Sequence, residues 1–251
     1  VQLLLANDFD NVALPVAEHA RQLADWQRDV IEIVREEQLY FVPQMQTKIM
    51  NEGWASFWHA RIMRELDLPN GEYVEFSQMH AGILAPNRHQ LNPYFVGMKI
   101  FEDIERRWDD PTAEERERFG RRPGEGREKI REVRTSESDV SFLRNYLTED
   151  LVEELDLYLY RLQGQKWVIV EKDWEKVRDT LVAELTNFGN PYIVVVDGDY
   201  RKNGELFLRH VDEGKQLDAV YADKTLAQLH RLWGRKVHVE TRLEGKAVVL
   251  S

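Results

Sequence analysis

The fold of the first part of the chain is decided by one stretch, Tyr40-Phe-Val-Pro-Gln-Met-Gln-Thr-Lys-Ile-Met-Asn-Glu-Gly-Trp-Ala-Ser-Phe-Trp-His-Ala-Arg-Ile-Met-Arg-Glu-Leu66. From about Gln44 its apolar residues recur at the three- and four-residue spacing of a helix. Pro43 precedes this run and Pro69-Asn70-Gly71 follows it, and both are signals that end helices. The apolar positions are Met45, Ile49, Phe57, Ile62 and Leu66. The stretch therefore predicts a central helix.

Glu52 and His59 are the two ionisable residues of this helix that packing does not explain. They lie seven residues apart, about two helical turns, and therefore project from the same side. One interpretation is a structural polar network, in which Glu52 hydrogen-bonds His59 or a neighbouring arginine. The other is a metal or acid–base site, with Glu52 as ligand or base and His59 as ligand or proton carrier. No histidine lies three or four residues from either, so this helix alone cannot hold zinc.

Composition narrows the function further. The 251 residues, 43% of them apolar, suffice for one large domain or two small ones. The chain has no cysteine, which fits a reducing cytosol, and a divalent metal such as zinc would need histidine and carboxylate ligands. The net charge of −11 argues against nucleic acids and anionic membranes as partners.

The start of the chain, Val1-Gln-Leu-Leu-Leu-Ala-Asn7, lacks the basic region of a signal peptide and an initiating Met. No apolar run reaches the roughly 20 residues of a membrane span. We therefore expect a cytoplasmic chain that is a portion of a longer protein.

Two domains are predicted from the change of hydrophobic period. Helical spacing dominates residues 1–157, with helices at about 25–41, 72–84 and 93–108 besides the central one. From residue 158 strands alternate with helices, in the order strand, helix, strand, strand, helix, strand, strand. This order predicts a small, largely antiparallel sheet covered on one face by two helices. The expected fold class is α+β, with a helical domain at 1–157 and a small α+β domain at 158–251.

Two polar clusters have simpler explanations than ligand binding. Residues 121–127 form an Arg-, Pro- and Gly-rich loop, interpreted as a mobile surface excursion. The arginines of 121–134 could alternatively bind a phosphoanion. Asp197, Asp199, Asn203 and Glu205 fail the calcium-loop pattern and indicate turns.

Five segments of the chain resemble the SpoVR family, the stage V sporulation protein R-like proteins. The resemblance covers the chain from about residue 20 to 251, in order. The segments are Asp25–Val30, Gln44–His59, Leu91–Ile104, Asp139–Thr148 and Leu232–Glu240. It implies a bacterial cytosolic protein connected, in spore formers, with making the spore cortex, a modified peptidoglycan layer. In non-sporulating bacteria it implies a stationary-phase or stress role.

The same resemblance implies more about Glu52 and His59. Family members carry an N-terminal half with a His-Val-x-x-His type element, and this chain has none. That element followed by Asn51-Glu-Gly-Trp-Ala55 is distantly similar to gluzincin metallopeptidases. By that analogy Glu52 would be the third metal ligand, and His59 would lie beside the metal or contact the transition state. The remaining ligands would then come from outside this chain.

Three functions follow as hypotheses. The first is a non-enzymatic assembly or regulatory factor with protein partners in cortex formation, or a divergent metalloprotein. The second is a gluzincin-like metal-dependent hydrolase acting on peptide or cell-wall precursor material. The third, phosphoanion binding near Arg121–Arg134, rests on the arginines alone. Whether the protein is an enzyme stays open at this point.

Overall fold

The computed structural model describes residues 9–86, 90–212, 216–243 and 245–251. A π-helical turn at Phe9–Ala13 comes first, and a 3₁₀ turn at Thr186–Gly189 precedes the third strand. The α-helices are α1 (Leu14–His19), α2 (Asp25–Gln46), α3 (Lys48–Glu65), α4 (Asn70–Ile83), α5 (Pro93–Asp109), α6 (Ala113–Phe119), α7 (Gly126–Ser136), α8 (Asp139–Tyr146), α9 (Glu149–Glu154), α10 (Trp174–Leu185) and α11 (Ala219–Trp233). The strands are β1 (Leu159–Gln163), β2 (Lys166–Glu171), β3 (Tyr192–Tyr200), β4 (Glu205–Val211), β5 (Val237–Leu243) and β6 (Lys246–Leu250).

These elements form two compact units. The helical unit is Gln44–Leu185, and the sheet unit combines Val1–Pro43 with Thr186–Ser251. A domain boundary was predicted after residue 157. The two compact units do not show whether either part folds independently, so this boundary stays a prediction.

The helical unit is built on the crossing of α3 and α5. Asn92 caps α5 by accepting hydrogen bonds from the backbone of Tyr94 and Phe95, and Pro93 occupies the first turn. The buried side of α5 meets α3, α7 and α8 in one core. Its fully buried side chains include Phe57, Ile100, Phe101, Ile104, Ile130, Phe142 and Leu143. The helix predicted at about 93–108 is therefore present as α5.

Glycine permits α3 and α5 to touch through their backbones. A Cβ added to Gly97 would lie 2.8 Å from the Gly53 Cα and would overlap the carbonyl oxygen of Ile49. A Cβ on Gly53 would likewise overlap the backbone of Gly97. The helices approach this closely only because neither residue has a side chain.

The sheet unit contains a four-stranded mixed sheet in the order β3-β4-β5-β6. β3 and β6 pair antiparallel with their neighbours, whereas β4 and β5 are parallel. The parallel pair follows from the crossover through α11. Described residues near the N-terminus complete its core, which contains Val12, Val16, Ala20, Leu23, Leu206, Leu208, Leu226, Leu229, Val237 and Val239.

The α+β class is confirmed, but three local expectations were wrong. Helix α2 continues through Pro43 to Gln46 and gives up only the one backbone donor that proline lacks. Strands β1 and β2 form a separate hairpin in the helical unit. Helix α10 packs with α8 rather than on the four-stranded sheet. Among the described residues, no helix is long and apolar enough to cross a membrane.

The acidic cluster lies at the end of β3 and in the hairpin turn to β4, and turn chemistry was predicted for it. The Asp197 carboxylate accepts from the backbone N–H of Asp199, and the Asp199 carboxylate accepts from that of Gly204, both at 2.8 Å. Arg201 and Lys202 have positive φ angles of 58° and 60°, which the hairpin requires. The carboxylates are therefore used as turn acceptors.

His238 connects three parts of the sheet unit. Its Nε2 lies 2.9 Å from a Glu205 carboxylate oxygen on β4, and its Nδ1 lies 2.6 Å from the Ser251 hydroxyl. The hydrogen bond from His238 lowers the pKa of Glu205 below its usual value. His238 therefore links β5 to Glu205 of β4 and to Ser251, the residue after β6.

We predict that Gly97→Ala destabilises the protein by about 1–3 kcal/mol, because the new methyl group overpacks the helix crossing. The free energy of unfolding from urea titration measures this effect. Gly82→Ala is the matched control: it lies on α4 with nothing within 4 Å of its added Cβ. It should be neutral or stabilising, and an equal loss in both variants would contradict the prediction.

We predict that Glu205→Gln lowers stability at pH 7 but not in acid. A lowered carboxyl pKa contributes stability above the unfolded-state value of about 4.3, and that stability is lost as the pH falls through the lowered folded-state pKa. The gap between variant and wild type should therefore close below about pH 4. Glu240→Gln, which removes an exposed ion pair with Arg209, is the control with little expected effect. A gap that is independent of pH would contradict the assignment.

Candidate functional site

The predicted site helix is α3, and a buried carboxylate fixes its start. Asp139 accepts hydrogen bonds from the backbone N–H groups of Ile49 and Met50, at 2.8 and 3.0 Å. Asp139 is only 3% exposed. Burial raises the pKa of its carboxyl, although the hydrogen bonds from α3 and the charge of Lys48 act in the opposite direction. Asp139 thereby sets the position of the first turn of α3 relative to α8.

Glu52 lies one turn further on, beside the Gly53–Gly97 contact. Its carboxylate lies near the hydroxyl of Tyr94 on α5. Hydrogen bonding to Glu52 and the negative charge of Glu52 raise the pKa of the Tyr94 phenol. The raised pKa favours the protonated phenol, the form that can donate to a carboxylate.

Asn51, the residue before Glu52, forms hydrogen bonds through both its side-chain oxygen and its side-chain nitrogen. The Asn51 side-chain oxygen accepts from the Arg134 guanidinium at 2.6 Å, and its amide donates to the Thr47 hydroxyl at 2.9 Å. Arg134 belongs to α7, so this contact ties α7 to the start of α3.

His59, two turns beyond Glu52, contacts a different helix. Its ring meets Phe76 of α4 edge-on, with centroids 5.1 Å apart, and meets His80 edge-on at 6.1 Å. Burial lowers the pKa of His80, and the neighbouring His59 and Arg64 lower it further. The lowered pKa favours the neutral form of His80, which can accept a hydrogen bond or bind a metal.

An aromatic and charged cluster surrounds this part of α3. The rings of Trp54, Phe57 and Trp58 pack on one another, with centroids between 5.5 and 6.5 Å apart. The Arg61 guanidinium lies 3.9 Å from the centroid of Phe57 and forms a two-point ion pair with Glu105. Such a pair orients its members by geometry as well as by charge.

The arginine-rich stretch is bound within the helical unit at several points. Arg121 pairs with Glu115, and its guanidinium lies 3.8 Å from the centroid of Trp108. The backbone N–H of Gly126 donates to Asp109 at 2.9 Å. These contacts attach the two ends of the loop to the helical unit. The predicted mobility of the loop and the phosphoanion hypothesis both stay predictions.

The two predicted site residues are engaged by different helices. Glu52 contacts Tyr94 of α5, whereas His59 contacts α4. Among the described residues, no group of three or more His, Asp or Glu side chains could hold a metal ion. A metal at this face would need a ligand from outside the described residues. The assignment of Glu52 and His59 as ligands stays a prediction.

Sequence reasoning missed two members of this face, Tyr94 and His80. His80 could have been predicted from the pairing of α3 with α4. The connection 66–69 is short, so His59 and Phe76 lie at similar distances from the turn and come together. One helical turn beyond Phe76 is His80. For Tyr94 no signal was present, because its contact depends on the glycine crossing.

Comparisons with known proteins agree along the chain. The family described as SpoVR like protein matches residues 4–190, and the SpoVR-like C-terminal domain matches residues 191–244. The Escherichia coli (strain K12) protein named "Uncharacterized protein YcgB" is 28% identical over 260 residues. That match covers 96% of this chain and 51% of YcgB, so the chain spans about half the length of this relative. No solved structure is significantly similar to the chain.

We predict that Asp139→Asn destabilises the protein by about 1–3 kcal/mol, because an amide cannot accept from both backbone donors with two oxygens. Asp150→Asn, an exposed residue in the first turn of α9, is the control and should change stability by less than about 0.5 kcal/mol. Urea denaturation measures both. Equal stability of Asp139→Asn and wild type would show that the buried carboxylate does not hold α3.

Proposed function

The chain belongs to the family of SpoVR like proteins, and on that premise we propose that it acts in spore cortex formation as a non-enzymatic assembly or regulatory factor. In bacteria that do not sporulate, the corresponding role would lie in stationary phase or stress. The proposed location is the cytoplasm, and the proposed partners are proteins of peptidoglycan assembly.

One observation supports the non-enzymatic role best. Two neighbouring polar side chains of α3 have partners within the helical unit: Asn51 accepts a hydrogen bond from Arg134, and Glu52 lies near Tyr94. His59 is exposed, and its ring contacts Phe76 and His80 of α4 edge-on. Such engagement is typical of a polar network that fixes helix docking. These contacts favour a structural role for the side chains over a catalytic one.

The second candidate is a divergent metalloprotein. His59 and His80 meet edge-on with ring centroids 6.1 Å apart, and the lowered pKa of His80 favours the neutral imidazole that can bind a metal. Glu52 and His59 are the two ligands predicted from the sequence, and His80 is not one of them. The described residues do not complete a metal site by themselves, so this candidate needs a ligand from another part of the protein. Its enzymatic form is a hydrolase acting on peptide or cell-wall precursor material.

The assembly factor and the metalloprotein predict different outcomes for Glu52→Gln. For the assembly factor, glutamine retains a side-chain oxygen that can accept from Tyr94, so the polar network and cortex formation should survive. Glu52→Ala removes the acceptor and should cost about 0.5–1.5 kcal/mol in the free energy of unfolding. The readouts are cortex peptidoglycan and heat-resistant spores in a spore former whose own SpoVR-like gene is replaced by this one.

Elemental analysis decides between the candidates on the same variants. The assembly role predicts no stoichiometric metal in the full-length protein purified without chelator; the full-length protein is used because the metalloprotein candidate takes further ligands from outside this chain. The metalloprotein predicts about one equivalent, lost in folded Glu52→Gln and His59→Ala alike, because an amide is a poor substitute for a carboxylate ligand. A folded Glu52→Gln variant that fails to support cortex formation would overturn the assembly proposal. Circular dichroism is the control for folding.

A further inference from the structure

Helix α2 presents an apolar surface that nothing in the described part of the sheet unit covers. It runs for 22 residues without a buried one. At about 100° per residue, five large apolar side chains fall within roughly 100° of its circumference. Their exposed fractions range from 47% to 71%. This apolar stripe consists of Trp26, Val30, Ile33, Tyr40 and Phe41.

The stripe faces away from the side by which α2 is attached. The Arg28 guanidinium donates to the carbonyl oxygens of Ala17, Ala20 and Leu23, which lie at and beyond the end of α1. Ile31 packs against the core of the sheet unit. Both residues lie on the half of the helix opposite the stripe. The anchoring contacts therefore hold α2 with its apolar stripe outward.

An acidic row borders the stripe on one side. Its members recur at spacings of four, three and four residues, so they form a continuous ridge along α2. The exposed Glu37 falls within the stripe itself and adds to the negative charge of this surface. A stripe of apolar residues flanked by one sign of charge is the pattern of a helix that pairs with another helix of opposite flanking charge. The acidic row is Asp25, Asp29, Glu32 and Glu36.

We propose that the apolar stripe of α2 is the docking site for a basic amphipathic helix from the half of SpoVR-like proteins that this chain does not span. The stripe extends over about 22 Å, the length of four turns, which suits one helix laid along it. The acidic row calls for Lys or Arg on the facing flank. The source is a family member's other half because the matched relative is about twice as long as this chain.

A second copy of α2 is a poorer occupant. In an antiparallel pair the acidic row would meet itself, and like charges across a helix pair are unfavourable. In a parallel pair it would meet the other border of the stripe, where Gln27, Val34 and Gln38 offer no cation. Charge complementarity therefore favours a different, basic helix. This inference depends neither on the cortex role nor on a metal at α3.

The test measures binding of peptides to the purified chain. Overlapping 22-residue peptides, the length of α2, cover all of YcgB, labelled for fluorescence anisotropy. The tightest binders should come from the half of YcgB that this chain does not match, and should be amphipathic with Lys or Arg beside the apolar positions. Peptides from the matched half are the internal control. Equal binding by both halves, or no binding, would overturn the proposal.

Two substitutions on the same helix localise the binding. Ile33→Asp places a charge in the stripe and should weaken binding about tenfold or more. Leu39→Asp changes another exposed apolar residue, outside the stripe, and should leave binding unchanged. Circular dichroism should show both variants folded, since both side chains are exposed. Equal effects of the two variants would place the site elsewhere.

The acidic row and the second copy are tested separately. Asp29→Lys with Glu36→Lys should weaken binding of the basic peptides and reduce its dependence on salt. Light scattering should show the chain as a monomer at the concentrations used. A dimer that Ile33→Asp abolishes would instead make the stripe an interface between two copies, and would overturn the proposal.

Discussion

The helical unit depends on one close approach, the backbone contact between Gly53 of α3 and Gly97 of α5. Two helices meet at this distance only where neither carries a Cβ. The contact also limits rotation of α3, because turning it would bring a side chain into the space of the glycine. Asp139 adds the second constraint by holding the first turn of α3. Together they determine which residues of α3 enter the core and which face the neighbouring helices.

The chemistry of the candidate site follows from these constraints. With Gly53 against α5, Glu52 lies next to the crossing and meets the hydroxyl of Tyr94. Two turns later His59 meets α4, while Arg61 of the same helix still pairs with Glu105 of α5. A stripe that is continuous on a single helix is thus divided between two partners. This division favours a structural network, while the facing imidazoles of His59 and His80 keep metal binding as a defined alternative.

Sequence periodicity predicted the local structure well where one helix or strand buries one face. The helices α3 and α5 followed from apolar spacing, and the turn at Asp197–Gly204 followed from known turn residues. Apolar spacing does not specify which element packs on the apolar face. The strand pattern of β1 and β2 is the same whether they join a larger sheet or form a separate hairpin. Likewise Pro43 costs one hydrogen bond, which α2 tolerates.

Helix α2 shows most clearly that apolar spacing does not specify the packing partner. Its apolar residues recur at the spacing that indicates a buried face, as those of α5 do, yet on α5 they are enclosed and on α2 they are exposed. Periodicity specifies that a face is apolar, and only contacts say what covers it. A helix derives most of its stability from such cover rather than from intrinsic propensity. The exposed stripe of α2, bordered by four carboxylates, is therefore best understood as half of an interface whose other half must be apolar at its centre and basic at its edge.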